Sequence, residues 1–160
     1  MSQHSLEQRV LFLEACEAIR NLVGRYATAA DQRNDPSLMQ HIFHEHAVWC
    51  AKGFGQYEGR QNILDALAKI GQEQVVWSLH IMAQPDISIA KDSKTATARW
   101  VLWELSTLAQ ADQRQDHWLG GFYESQLSKD EQGVWRFDRV ELNLTLNSPH
   151  REGFNTIDVA

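Results

Sequence analysis

Residues 75–108 read VVWSLHIMAQPDISIAKDSKTATARWVLWELSTL, and apolar and polar side chains alternate along most of this segment. The alternation covers Val75–Ile89, with an interruption at Pro85, and it resumes from Thr95 to Leu108. Between the two runs, Lys91–Lys94 is a short polar turn. A period of two on both sides of a polar turn predicts two long antiparallel strands joined as a hairpin.

Two more strands are predicted downstream of this hairpin. A polar loop at Gln110–Gln115 precedes a strand at about Asp116–Leu127, and the turn Ser128–Gly133 precedes a last strand, Val134–Leu146. Four long strands joined by hairpin-like turns predict a mostly antiparallel meander.

The N-terminal part of the chain has a helical period instead. Apolar side chains recur at three- and four-residue steps over about 6–30, which predicts an amphipathic helix. Asp35–Phe43 reads as a short second helix with proline at its first position, His46–Ala51 as a strand, and Arg60–Ile70 as a third helix ending at Gly71. Helices followed by a long-stranded sheet predict an α+β domain. We expect a cone, with the helices packed on a curved, mostly antiparallel sheet that encloses a pocket.

The length of 160 residues predicts one domain, 1–160, with a core of about 10–147 and an irregular tail, 148–160. Hydrophobic residues make up 43% and charged residues 22%, which is typical of a globular chain able to bury a core around a pocket. Whether the tail closes that pocket is left open by the sequence.

The charge pattern excludes some partners. A net charge of -6 argues against nucleic acid, because proteins that bind it concentrate Lys and Arg against the phosphates. No run approaches the roughly 18 consecutive apolar residues that span a bilayer, so we expect no membrane partner and a cytoplasmic location.

Cys16 and Cys50 are expected to be free, buried thiols.

Three side chains form a candidate proton-transfer set: Tyr26 and Asp31 at the end of the first helix, and His80 in a later strand. A spacing of five residues is about 140° around an ideal helix, so Tyr26 and Asp31 share a cavity only if the helix loosens before Asp31. His80 shares a strand face with Ser78 and Met82, and that face points either to the pocket or to solvent. If Asp31 holds one ring nitrogen, the other is oriented for proton exchange with a ligand.

The other polar residues predict no metal or cofactor site. His41, His44 and His46 are close in sequence, but their HxxHxH spacing straddles a helix end and a strand start and lacks the geometry of an HExxH helix. The chain has no P-loop, GxGxxG fingerprint or GxSxG elbow. Arg99 and Glu104 lie on opposite faces of one predicted strand, and alternation does not determine which of them faces the pocket.

The order of parts resembles a known family. The segments Ala18–Asp31, Phe43–Trp49 and Phe54–Leu67, with His80 and the Gly133–Phe137 turn, resemble the SnoaL-like branch of the nuclear-transport-factor-2-like fold. Within that branch the pattern is most similar to scytalone dehydratases and hexachlorocyclohexane dehydrochlorinases. The resemblance covers nearly the whole chain, and its motifs are more specific for the fold than for an activity.

The resemblance implies a catalytic dyad of Asp31 and His80, in which the histidine takes a proton and the aspartate orients it. Tyr26 stands where dehydrochlorinases have a lysine, and Val140 stands where they have an arginine that assists chloride departure. Both differences favour water loss or enolisation over halide loss. The resemblance also implies a substrate-binding wall, which consists of Trp49, Val101, Trp103, Leu119, Tyr123 and Val140.

The leading hypothesis is therefore a cofactor-independent lyase or isomerase, with dehydratase-like proton abstraction, acting on a small hydrophobic cyclic or polyketide-like substrate. His80 would take the proton, and Tyr26 would stabilise a developing oxyanion or a leaving hydroxyl. Two alternatives stay open: a non-catalytic small subunit of a ring-hydroxylating dioxygenase, and a ligand-binding or polyketide-cyclase module. A homodimer or homotrimer is expected, because the outer face of an apolar sheet needs cover.

Overall fold

A computed structural model describes residues 5–110 and 113–154. Within these ranges the elements in chain order are α1 (Leu6–Asp31), α2 (Pro36–Met39), β1 (Phe43–Ala51), β2 (Gly55–Glu58), α3 (Arg60–Glu73), β3 (Val75–Ile89), β4 (Thr95–Gln110), β5 (Gln113–Lys129) and β6 (Trp135–Pro149). The strands form one sheet in the order β2-β1-β6-β5-β4-β3. β1 and β6 are parallel, and every other neighbouring pair is antiparallel. The predicted α+β class, with a long helix on a mostly antiparallel curved sheet, is confirmed.

The first helix begins with a capping box. The Ser5 hydroxyl accepts from the backbone N–H of Gln8, and the Gln8 side chain accepts from the backbone N–H of Ser5. Further along, α1 buries one stripe of side chains against the sheet, including the fully buried Ile19 and Leu22. Burial of that stripe fixes which way the C-terminal end of α1 points, and this end carries Asp31.

Four predicted boundaries were wrong. The second helix ends at Met39 rather than Phe43, since Phe43 is fully buried and pairs with Phe137 as the first residue of β1. The third helix continues past Gly71 to Glu73, and β6 continues past Leu146 to Pro149 along β5. The loop predicted at 110–115 is shorter, because β4 reaches 110 and β5 begins at 113; residues 111–112 lie outside the described part of the chain.

The hairpin of β3 and β4 contains a bulge. Ala83 pairs with Val101 and Asp86 pairs with Arg99, so Gln84–Pro85 together oppose one residue of β4. Proline has no N–H to give to the ladder, and Gln84 has a left-handed backbone with φ of 52°, which accommodates the extra residue. The bulge shifts the alternation of β3 by one residue, so the side chains facing the helices differ on its two sides.

The core lies between the helices and the inner face of the sheet. Its largest fully buried side chains include Trp100, Phe43, Phe137, Ile19, Leu22 and Met39. The opposite, outer face of the sheet is mixed, with charged side chains such as Arg99 and Glu124 at one end. Its exposed large apolar side chains are Leu79, Ile81, Val101, Trp103 and Leu146.

The described part of the predicted tail folds against β5. The backbone N–H of His150 donates to the carbonyl of Asp116, and the Phe154 N–H donates to the Asp116 carboxylate. The Phe154 ring stacks on His150 and packs edge-on against Trp118. Residues 155–160, the rest of that predicted tail, lie outside the described part of the chain. Across the described residues, no helix has the length and apolarity needed to cross a membrane.

Candidate active site

Hydrogen bonds from Arg33 and Asn34, shortly after the end of α1, connect this end to α3. Arg33 and Asn34 both have a φ of 57°, and their side chains donate to the carbonyls of Gly71 (2.9 Å) and Leu67 (3.0 Å). The α3 backbone can approach this closely only because residue 71 is glycine: a Cβ there would overlap the carbonyl of Arg33. This contact fixes the position of Asp31, the last residue of α1.

Asp31 holds His80 through a single carboxylate oxygen. Oδ1 accepts from the His80 backbone N–H at 2.8 Å and from ring Nδ1 at 2.7 Å. The backbone contact holds β3 at His80, and the ring contact fixes the orientation of the imidazole. Tyr26 and Asp31 could share the cavity only if the helix loosened before Asp31, and it does not: α1 continues through Asp31 and ends there. Tyr26 and His80 accordingly line the cavity, whereas Asp31 does not.

The second ring nitrogen of His80 faces Glu104. Nε2 lies 3.2 Å from Oε2 of Glu104, and both side chains are buried almost completely. The two residues are cross-strand partners in the register of β3 and β4, so they share the inner face of the sheet. Sequence reasoning left open whether Arg99 or Glu104 points inward. The structure places Glu104 inside and leaves the Arg99 side chain half exposed on the outer face, near Glu124.

The two carboxylates change the protonation state of the histidine. Burial by itself disfavours the charged ring, but the hydrogen bonds and negative charges of Asp31 and Glu104 outweigh it and raise the pKa of His80 to about 9. At neutral pH the ring is therefore an imidazolium. It bridges the two acidic side chains, with Nδ1 donating to Asp31 and Nε2 directed at Glu104.

Tyr26, Trp49 and Tyr123 form an aromatic cluster that lines the same cavity. Trp49 Nε1 donates to the Tyr26 hydroxyl at 2.8 Å, and the Tyr26 and Tyr123 rings meet edge to face with centroids 5.7 Å apart. Burial raises the pKa of Tyr26 to about 12, against the opposing hydrogen bond from Trp49, and burial also raises the pKa of Tyr123 well above its usual value. Both phenols stay neutral, so they are hydrogen-bond donors rather than bases.

The cavity that contains these groups has a volume of about 300 Å³ and a mostly apolar wall. Three of the six predicted wall residues line it, namely Trp49, Leu119 and Tyr123. The sequence did not single out its other apolar lining residues, which include Phe54, Leu67, Ile70, Val75, Leu108, Leu142 and Leu144. Leu67 and Ile70 come from α3, and Leu142 and Leu144 come from β6.

The other three predicted wall residues do not line the cavity. Val101 and Trp103 lie on the outer face of the sheet, 47% and 38% exposed, because their neighbours Leu102 and Glu104 point inward. Val140 is fully buried within the core and is absent from the cavity wall. Their place in the wall was implied by the family resemblance, because alternation along a strand does not determine which of its faces points inward.

The histidines near the start of β1 lie apart from the cavity. His44 and His46 stack with ring centroids 5.3 Å apart, and both approach the carboxylate of Asp138. His44 also contacts Ser128. Over the described ranges, 5–110 and 113–154, His, Cys, Asp and Glu side chains form no group of three or more placed to hold a metal ion.

A comparison with protein families identifies the family of the chain. The SnoaL-like domain family matches residues 12–141. No curated protein matches the chain in sequence.

Solved structures match over nearly the whole chain. Hexachlorocyclohexane dehydrochlorinase LinA-type3 from Novosphingobium barchaimii LL02 has a TM-score of 0.82 at 18% identity, with 94% of this chain and 99% of that chain covered. A scytalone dehydratase-like protein from Novosphingobium aromaticivorans DSM 12444 has a TM-score of 0.75 at 24% identity, covering 89% and 92%. A nuclear transport factor 2-like protein from Salmonella enterica serovar Typhimurium LT2 has a TM-score of 0.73 at 17% identity, covering 89% and 96%. At these identities the likeness concerns the fold alone.

Proposed function

The chain belongs to the SnoaL-like domain family, and on that premise we propose that it is a cofactor-independent lyase or isomerase that moves a proton on a small hydrophobic cyclic or polyketide-like substrate. The observation that carries this proposal is the 2.7 Å contact between Asp31 and the ring of His80 at the wall of an apolar cavity. A buried ionisable centre beside an apolar cavity is a feature expected of proton-transfer sites.

The cavity limits the size and polarity of the substrate. At about 300 Å³ it lies at the small end of the range for ligand cavities, roughly 300–1,000 Å³. Apolar side chains cover most of its wall, and its polar lining groups include Tyr26, His80, Glu104 and Tyr123. This distribution favours a compact ring system with one or two oxygen atoms directed at those groups.

The phenols supply the second half of a proton transfer. Because Trp49 donates to the Tyr26 oxygen, the Tyr26 O–H is available to donate to a substrate oxygen on which negative charge develops. Its pKa of about 12 keeps that proton in place through the working range of an enzyme. Val140 is apolar and fully buried, so it offers no positive charge to a departing halide. These residues favour water loss or enolisation.

Two probes test the proposal. In deuterium oxide, 2-tetralone exchanges the protons next to its carbonyl, which mass spectrometry follows. With 3-hydroxy-1-tetralone, a proton leaves the carbon beside the carbonyl, a double bond forms as the neighbouring C–O bond breaks, and the hydroxide takes a proton and departs as water. The product tautomerises to fluorescent 1-naphthol. We expect the wild-type protein to catalyse at least one of these reactions.

The matched variants are His80→Gln and His46→Gln. His80→Gln should lower the rate by about 100-fold or more, because the charged centre is lost. His46 has a side chain 73% exposed outside the cavity, so His46→Gln should leave the rate unchanged. Thermal melting confirms that both variants fold. Full activity in folded His80→Gln would refute the proposal, and binding of 2-tetralone by the wild-type protein without exchange would favour a ligand-binding module instead.

A further inference from the structure

The arrangement around His80 leaves neither ring nitrogen free to accept a proton. Nδ1 is 2.7 Å from Asp31 Oδ1, and Nε2 is 3.2 Å from Glu104 Oε2. A histidine that acts as a general base must direct an unprotonated nitrogen at the substrate. Here the nitrogen that Asp31 does not hold is directed at a second carboxylate.

Glu104, in contrast, meets the geometric requirement for a base. Its side chain is 9% exposed and lines the cavity that His80 and Tyr123 also line. The contact with His80 uses Oε2, which leaves Oε1 for a ligand in that cavity. Because β3 and β4 pair His80 directly with Glu104, the carboxylate sits on a strand that is paired on both sides and not on a loop.

The charges of Asp31, His80 and Glu104 support the same assignment. A buried carboxylate is costly in an apolar cavity unless a positive group and hydrogen bonds accompany it. His80 provides that positive group, and Asp31 fixes the ring and balances its charge from the far side. Of the two carboxylates that flank His80, only Glu104 lines the cavity.

We propose that Glu104 is the catalytic residue that accepts the substrate proton, and that His80 and Asp31 are positioning residues that hold its carboxylate. The proposal rests on the proposed function and changes the role expected for His80. The C–H bond beside the substrate carbonyl breaks, its proton moves to Glu104 Oε1, and its electron pair moves onto the carbonyl oxygen as an enolate that a tyrosine O–H stabilises. Glu104 then returns the proton, either to another carbon in an isomerisation or to the leaving hydroxide in a water loss.

Glu104→Gln separates the two assignments, because they predict opposite results. If Glu104 is the acceptor, exchange of 2-tetralone and water loss from 3-hydroxy-1-tetralone should fall by about 100-fold or more. If His80 is the base, the same variant removes the partner of Nε2, so the rate at neutral pH should be kept or raised. The matched control is Glu124→Gln, a change in a half-exposed carboxylate on the outer face of the sheet, which should have no effect.

Chemical rescue gives a second readout. Glu104→Ala should be inactive and should regain about tenfold or more in rate with added formate, which can enter the space left by the side chain and accept the proton. Added imidazole should not restore the rate. Activity retained in Glu104→Gln, or a Glu104→Ala protein that formate leaves inactive, would overturn the proposal.

The pH profile of the wild-type protein needs no variant. The groups that face His80 are Asp31 and Tyr26 from α1, Glu104 from β4 and Tyr123 from β5. With Glu104 as acceptor, the rate should fall as His80 loses its proton through about pH 9, and this fall should be absent in His80→Gln. A wild-type rate that instead rises toward pH 9 would assign the base to His80. A wild-type protein inert toward both probes would overturn the proposed function itself, whereas an active wild type with an active Glu104→Gln overturns only this inference.

Discussion

The charge on His80 should make the free energy of unfolding depend on pH. The pKa of the ring is 6.5 without its folded environment and about 9 within it. At about 1.4 kcal/mol for each tenfold change in proton affinity, the charged ring stabilises the fold by about 3 kcal/mol. Because folding raises this pKa, the contribution is complete below pH 6.5, decreases between pH 6.5 and 9, and is lost above that range. A typical domain has about 5–15 kcal/mol in total, so the effect is large.

Urea unfolding followed by tryptophan fluorescence measures this contribution. Between about pH 6 and pH 9.5, the wild-type protein should lose about 3 kcal/mol more stability than His80→Gln, which can still bond Asp31 but does not titrate. His46→Gln is the matched control, because its side chain is 73% exposed and its removal should leave the pH dependence as in the wild type. Taking the difference between variants cancels the other groups that titrate in this range. Parallel pH dependences for wild type and His80→Gln would refute the reasoning.

Two further changes test the backbone contact and the outer face of the sheet. Gly71→Ala should destabilise the protein by about 1–3 kcal/mol in urea unfolding, because the added Cβ overlaps the carbonyl of Arg33. The control is Gly24→Ala, on an open part of α1, which should stabilise the protein by about 1 kcal/mol. Equal effects of the two substitutions would contradict the packing argument. The expected homodimer or homotrimer predicts a sedimentation mass two or three times 18.3 kDa and a shift toward monomer in Trp103→Lys, whereas a wild-type mass of one chain would contradict it.

The sequence predicts elements well where one periodicity dominates, and less well where elements meet. The apolar stripe of α1 and the alternation in β3 predict a helix and a strand because their side chains follow the periods of those two structures. Gly71 shows the limit of local signals. It reads as a helix end, yet α3 passes through it, and the glycine is needed for the close approach of Arg33, thirty-eight residues away in sequence. A contact of that kind has no local pattern.

The geometry of the candidate site depends on the bulge at Gln84–Pro85, because the bulge changes which residue of β4 pairs with His80. Ile89 pairs with Ala96, and a regular hairpin counted nine residues outward from that pair would set His80 opposite Leu105. Val101 and Trp103 would then share the face of His80, as the predicted wall required, and Glu104 would point away. The extra residue moves the register by one, so His80 pairs with Glu104. Pro85 marks the position of the bulge in the sequence. The bonds from Asp31 place His80 on the inner face of the sheet. Glu104, the partner of His80 in the shifted register, therefore also faces the cavity.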